Sequence, residues 1–437
     1  MNLYDDSKRI LVVGEVYVDR HLDRSLIRLG GVFHAARALD ACGVKYSVAY
    51  LCPSYLDEHC QSFLIQLGAS DPRKTGNVVG APNIMEIRDS GEAGDQGYQD
   101  LLCDSRRTDL DTGVLASHIR CYGPTDLLVI AGAFNIQDVI DALHPHIARV
   151  HVDVDHALGS LSQIRVDTVF CSTTGVPFVE CGRAPDALRS FFHAASKIVL
   201  KENRGGSRAY SKLEHEAVEA DSFPVATAHS VGVGDCFDAT WVALREGEPA
   251  GHRLRRSSYV ASLYASTFSH QEFRANELQS RTVVDDVVTL VGTRIPWEHR
   301  PSVNIYLAAP DFPDVNTAEL DRVELALRHH NFSPRRPIRE NGLGNLEMTW
   351  NERRNLFAKD VALLESCELL VAVPLTNDPG TFAELGWFAN EGKASILYDP
   401  LHLASNLFVS NLARRSCSTL VGLVDAVFEL VGQVRRG

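Results

Sequence analysis

Asp378 and Glu384 stand in the run Asn377-Asp378-Pro379-Gly380-Thr381-Phe382-Ala383-Glu384-Leu385-Gly386. An apolar stretch, Leu369-Leu370-Val371-Ala372-Val373, precedes it, and a helical pattern ending at Gly392 follows. The spacing predicts a strand-to-helix turn with both carboxylates on the carboxyl edge of a parallel sheet, where open α/β sheets bind ligands. A carboxylate close to a helix N-terminus is expected to be held ionised by the dipole and by free N–H groups. An ionised Glu in a sugar-sized cleft attacks an anomeric carbon, as in retaining glycosidases. The same residues carry a second reading. Thr381-x-x-Glu384 has the form of a capping box, which would make Glu384 a structural residue.

The elements that must position these carboxylates lie in the last third of the chain. Val303-Asn304-Ile305-Tyr306-Leu307-Ala308-Ala309-Pro310-Asp311-Phe312 reads as a buried strand followed by a loop. Leu320, Val323 and Leu327 give Thr317 to His330 a helical period. Thr349-Trp350-Asn351-Glu352 is a second capping box, opening a helix with Phe357, Val361 and Leu364 on one face and Asp360 off it. The strand Leu369 to Val373, the Asp378–Glu384 turn, another helix and the strand Ala394-Ser395-Ile396-Leu397-Tyr398 complete a β-α-α-β-α-β order, which implies a small parallel sheet.

Tyr306 to Phe312, Asp360, Glu368 and Asp378 to Gly386 together resemble the nucleoside 2-deoxyribosyltransferases and their nucleotide N-glycosidase relatives. The resemblance covers residues 303 to 412. It implies that Glu384 is the nucleophile of a glycosyl-enzyme ester, that Asp378 touches the nucleoside, and that Tyr306 orients the nucleophile. Asp360 would face the substrate. Asn406, in Ser405-Asn406-Leu407-Phe408-Val409, is similar to the Asn some relatives lend to a neighbouring subunit, so a homo-oligomer is expected. Glu368 stands where the family usually has Asp, and the alternative for it is a solvated acid at a helix end.

The first two-thirds reads as one α/β domain. Strands are expected at Ile10–Gly14, Leu127–Ala131, Val150–Val154, Thr168–Cys171 and Ile198–Lys201, and helices at Phe33–Ala41 and Ala184–Ala195. Its chemical signature is Ser230-Val231-Gly232-Val233-Gly234-Asp235, leading into a helix. Glycines let backbone N–H groups approach an anion at a helix N-terminus, and Asp235 beside them is placed to accept a hydroxyl proton. An Asp that merely caps the helix is the alternative. Gly14 to Asp19, Gly30-Gly31, Gly205-Gly206-Ser207 and this turn resemble, in order, the ribokinase-like (PfkB) sugar and nucleoside kinases. That resemblance implies sugar contacts from Asp19 and Gly31, phosphoryl contacts from Gly232, Val233 and Gly234, and Asp235 facing the reactive hydroxyl.

Several residues depart from the kinase pattern. Only ten residues separate Asp19 from Gly30, too few for the lid strands that family places there. His34 replaces an Asn after the paired glycines, Ser172-Thr173-Thr174-Gly175 replaces an Asn-x-x-Glu that organises Mg²⁺, and His229-Ser230 replaces an Asp-Thr. ATP and Mg²⁺ therefore enter only if this domain is a working kinase. The glycosidic step at Glu384 calls for no cofactor and no metal ligands. A substrate-binding or sensing role is the alternative.

The chain of 437 residues has room for more than one domain. The expected boundaries are a ribokinase-like domain over 1–292, a linker over 293–302 containing two prolines, and a flavodoxin/Rossmann-like parallel-sheet domain over 303–437. Hydrophobic residues make up 45% and charged residues 23%, ordinary values for a globular protein. A net charge of −13 disfavours nucleic-acid partners, which need clustered Lys and Arg. The basic clusters Arg253 to Arg256 and Arg335 to Arg339 read as solvated faces, the second also as a candidate for a substrate phosphate. Ten cysteines without a C-x-x-C pair indicate reduced thiols. With no apolar run near ~18 residues and no signal sequence, a soluble cytoplasmic protein without membrane contacts is expected. Nucleosides or nucleotides are the substrate class both resemblances share.

Overall fold

The computed structural model describes residues 3–79, 84–92, 99–100, 107–130, 132–143, 148–157, 165–212, 216–223, 225–281, 292–345 and 347–434. The chain forms two compact units, Met1–Arg294 and Ile295–Gly437.

The first unit is built on the strands β1 (Arg9–His21), β2 (Leu26–Gly31), β3 (Lys45–Cys52), β4 (Arg73–Val79), β5 (Ile84–Ile87), β6 (Gln99–Asp100), β7 (Arg107–Leu110), β8 (Asp126–Ile130), β9 (Arg149–Asp153), β10 (Thr168–Ser172), β11 (Lys197–Lys201), β12 (Ser207–Ser211) and β13 (Val218–Ala220). The main sheet runs β13-β12-β11-β10-β9-β8-β1-β3-β4-β7. Its centre is parallel, and β12, β13 and β7 add antiparallel margins. The parallel strands read as continuous apolar runs because helices cover them; β8 and β10 are buried at every residue. The helix expected at 184–195 is a single turn, Ala187–Phe191.

β1 runs beyond the main sheet. Its outer half pairs antiparallel with β2 and parallel with β5, which in turn pairs with β6. The short Asp19–Gly30 spacing therefore does not leave β1 without added strands there; two of them come from later in the chain, where local sequence spacing cannot show them. Of the polar loop at 91–97, residues 93–97 lie outside the described residues.

The second unit holds β14 (Asn304–Ala308), β15 (Ser333–Arg335), β16 (Leu369–Ala372), β17 (Ala394–Tyr398) and β18 (Arg415–Cys417). All neighbours are parallel, in the order β15-β14-β16-β17-β18. This is the doubly wound, flavodoxin-like order, whose reversal point lies between the first and third strands, here β14 and β16. Strand alternation divides the core in two. Ile305, Leu307, Val371 and Ile396 face the helices Ala318–His329 and Leu420–Val434. Tyr306, Ala308, Leu370 and Leu397 face Leu363, Leu364, Leu385 and Phe388 on the helices Trp350–Ser366 and Pro379–Asn390. Phe357, expected on the buried face of its helix, is instead exposed, and Leu363 joins Leu364 in the core.

The segment 293–302 is ordered on both sides of the boundary. Thr293 pairs with Ser222 in the first unit. Trp297–Ser302 is a 3-10 helix in the second, with Trp297 and Arg300 buried and Arg300 donating to the carbonyls of Ile295 and His330. No helix among the described residues is long and apolar enough to cross a membrane.

Candidate active site

Glu384 and Tyr306 meet on the face of the second sheet covered by the helix Pro379–Asn390. Tyr306 is fully buried in β14 and its hydroxyl donates to Glu384 Oε1 at 2.7 Å. Even numbering along β14 sends Tyr306 to this face together with Ala308, while Ile305 and Leu307 go to the other. Burial and the negative charge of Glu384 push the Tyr306 phenol well above its ordinary pKa, so it remains a donor.

The capping-box reading of Glu384 does not hold. The helix is capped by Asp378, whose Oδ2 accepts the Thr381 amide at 2.8 Å and the Thr381 hydroxyl at 2.9 Å. Pro379 fills the first helical position, where its missing N–H costs nothing. Thr381 thus spends its hydroxyl on the cap, and Glu384 sits a turn further on, free to aim at the sheet. The expectation that a helix N-terminus holds Glu384 ionised is overturned with it. Burial raises its pKa, the Tyr306 hydrogen bond lowers it, and Asp360 and Asp378 raise it again, to about 7. A carboxyl beyond the first turn receives little from the dipole.

Asp360 and Asp378 are close enough to Glu384 to act on its charge. Asp360 Oδ1 accepts the side-chain amide of Asn341 at 2.8 Å, a partner nothing in the sequence pattern singled out. Three carboxyl groups and one phenol therefore gather at the carboxyl edge beside β14 and β16. Glu368 does not join them. It is exposed at the amino end of β16, opposite the edge that carries Asp378, in keeping with a solvated acid. Asn406 is exposed and caps the short helix Leu407–Leu412 through Phe408 and Val409 amides. Leu407 and Phe408 beside it are 80% and 74% exposed, a conspicuous apolar pair for a surface turn.

The basic cluster at 335–339 is engaged rather than open to a phosphate. Arg335 pairs with Glu340, buried Arg336 with Asp311, Asp321 and Glu324, and Arg339 with Asp321 and Glu324. Arg253 and Arg256 are likewise buried, the first over the Trp241 ring, the second on Glu277 and Ser280, so neither forms a solvated face.

In the first unit Asp19 is buried on β1, with His34 Nε2 3.1 Å from its Oδ2. Burial pushes Asp19 up, but His34 and Arg28 outweigh it and hold the carboxyl below its usual range. His34 Nδ1 lies 2.7 Å from the Tyr264 hydroxyl, which accepts from Arg28. Burial lowers the imidazole pKa to about 4, so the ring is neutral and bridges an acid and a phenol. Gly31 has φ 60° and no room for a side chain: a Cβ would stand 2.2 Å from the Glu15 carbonyl oxygen. Gly232, at φ 70°, caps the helix Val233–Ala243; Gly234 and Asp235 lie in its first turn. Asp235 is thus not the N-cap. Burial, followed by the charge of Asp153, raises its pKa above the ordinary carboxylate value.

Residues 305–412 match the family model described as nucleoside 2-deoxyribosyltransferase. The chain is also similar to solved sugar kinases. An uncharacterized sugar kinase from Pyrococcus horikoshii is 16% identical, with 64% of this chain and 99% of that one covered and a TM-score of 0.47. Phosphofructokinase-2 from Escherichia coli, in complex with potassium, is 14% identical over 62% of this chain and 99% of that one, with a TM-score of 0.46.

Proposed function

We propose that the second unit cleaves or transfers at the N-glycosidic bond of a nucleoside or nucleotide, with Glu384 as nucleophile. One observation carries this reading: a partly buried Glu, hydrogen-bonded by a buried Tyr, stands at the reversal point of a doubly wound sheet with two further carboxyl groups around it. The family-model match over 305–412 supports it.

In the scheme, ionised Glu384 attacks C1′ of the sugar, the C1′–N bond breaks, and the base leaves with the bonding electrons and takes up a proton. Tyr306 orients the attacking oxygen. Asp378 is held by its cap with Oδ2 committed to Thr381, which leaves Oδ1 for a substrate hydroxyl or for the departing base. Attack by water on the glycosyl ester makes the enzyme a hydrolase; attack by a second base makes it a transferase. The step as written uses only carboxyl and phenol groups, and the partner that completes the site is a second copy of the chain, meeting it near Asn406.

Chromatography of a nucleoside and nucleotide panel tests this directly. Wild type is expected to release free base, and acid-quenched protein to carry one added pentosyl mass on the peptide holding Glu384. Glu384→Gln is expected to lose both. Ligand binding without base release by either protein would instead make the unit a sensor.

A further inference from the structure

A kinase reading of the first unit requires Mg²⁺ and ATP beside Asp235, and the side chains at that edge do not fit them. β9, β10 and β11 end there at Asp153, Ser172 and Lys201. The Lys201 ammonium donates to Asp153 Oδ2 and to Asp238 Oδ2, each at 2.8 Å, and lies 3.8 Å from Asp155 Oδ2. Lys201, Asp153 and Asp238 are all buried. Mg²⁺ demands about six oxygens at roughly 2.1 Å and gives up its water reluctantly. The oxygens it would need are already on an ammonium. Among the described residues no group of three or more His, Cys, Asp or Glu is arranged to hold a metal ion.

The protonation pattern of the cluster agrees. Burial pulls the Lys201 ammonium down, but Asp153, Asp238 and Asp155 outweigh it and hold its pKa well above the ordinary value. Asp153 is pushed up by burial, yet Lys201 and Asp238 bring it to about 2. Asp238 and Asp155 are raised, chiefly by burial and Asp153. One buried ion pair, with burial and mutual repulsion pushing the neighbouring acids upward, is the arrangement low-dielectric surroundings favour.

A second obstruction is independent of charge. The His34 ring packs on Gly232, where a Cβ would come within 2.1 Å of its Cγ. The imidazole therefore spans the gap between Asp19, the acid expected to hold a sugar, and the loop expected to receive a phosphoryl group.

We infer that Lys201 is the resident cation of this edge, taking up the carboxyl oxygens a divalent ion would use, so that the first unit moves no phosphoryl group. The inference stands apart from the glycosidic reading of Glu384.

Manganese binding to the full chain tests it, followed by the loss of the free Mn²⁺ signal in electron paramagnetic resonance. Wild type is expected to hold no Mn²⁺ in the millimolar range. Lys201→Met, which frees the carboxyl groups, is expected to bind it at least tenfold more tightly. A folded Lys201→Met that binds no better than wild type overturns the inference. So does Mn²⁺ binding by wild type that Asp155→Asn abolishes. Should Lys201→Met fail to fold, amine labelling of wild type decides. The paired ammonium is expected to resist acylation in native protein, and labelling of Lys201 at the rate of the exposed lysines would refute its place in the cluster.

Discussion

Replacing Glu384 by Gln should make the second unit more stable at neutral pH while abolishing its chemistry, and the size of the gain follows from the site. The Glu384 pKa is raised from 4.5 to about 7, first by burial and then by Asp360 and Asp378 against the Tyr306 hydrogen bond. A folded pKa above the unfolded one means the contribution is fully present below pH 4.5. It is lost as pH rises through about 7, because the unfolded chain ionises freely while the folded one resists. At ~1.4 kcal/mol per pKa unit the loss is at most about 3.5 kcal/mol, and roughly half that after screening at a partly exposed group. Gln does not titrate, so the difference between variant and wild type should be small near pH 4.5 and grow to roughly 1.5–3 kcal/mol by pH 8. For a unit of this size that corresponds to roughly 5–10 °C in Tm.

Thermal unfolding from pH 4.5 to pH 8, with hydrogen exchange on the β16 amides to assign the transition, measures it. A stability difference that stays flat across this range would refute the reasoning, whatever happens to activity. The rate carries the opposite sign. Attack needs the ionised form, so kcat/KM of wild type should rise with pH through a midpoint near 7.

Tyr306→Phe removes the hydroxyl that favours the ionised carboxylate. The rising limb of kcat/KM should then move to higher pH, with a loss at pH 7 of roughly tenfold to a hundredfold, the value of a hydrogen bond to a charged group; an unmoved limb would make the contact incidental. Asp378→Ala deletes a helix cap worth ~1 kcal/mol, whereas Asp378→Asn keeps it. Equal, near-complete loss of base release in both, with only the Ala variant less stable to urea, would separate the chemical role from the cap, and full activity in the Asn variant would leave the cap alone. Phe408→Glu places a charge beside Asn406 on the exposed apolar turn. It should shift the sedimentation of the full chain toward the monomer and lower base release with it, and an unchanged assembly would remove this turn from the subunit interface.

What the sequence revealed followed from how locally each feature is encoded. β16 and β17 are continuous apolar runs between turn residues, and their positions were legible to within a residue. The Thr349–Glu352 capping box formed as its spacing implies. β15 and β18 were not legible: each is three residues long, carries Arg or Pro, and is a strand only because β14 or β17 lies beside it. The same contrast divides the site. Tyr306 and Glu384 are joined by alternation and helical phase, which the sequence displays. The Thr381–Glu384 spacing misled because the helix is capped three residues earlier, at Asp378, which takes both the Thr381 amide and the Thr381 hydroxyl. Asn341, His34 with Tyr264, and Lys201 with Asp238 are partners across large sequence separations, and local spacing carries no trace of them. An Asp-x-Asp at the carboxyl end of β9 was the one available hint.

The two units treat buried carboxyl groups in opposite ways. At Asp153 a buried acid is matched by an ammonium at 2.8 Å, so its charge is fixed and its oxygens are occupied. At Glu384 the acid has a phenol for company and two further acids nearby, and among the described residues no cation is one of the groups that act on its charge. Its pKa consequently lies near 7, where a small change in surroundings, such as a substrate displacing water, switches the proton on or off. In the proposed glycosidic scheme, a nucleophile that must form an ester and then release it gains from that poise, because the leaving carboxylate would be stabilised in the second step by the same Tyr306 hydroxyl that oriented it in the first. Supplying Glu384 with a fixed cation should therefore suppress turnover even with the carboxyl intact. Asp360→Lys is the corresponding variant: it should lower the Glu384 pKa and bring the rising limb of kcat/KM below pH 7, while the ester, formed more slowly by the weaker nucleophile and released more readily, fails to build up in acid-quenched samples.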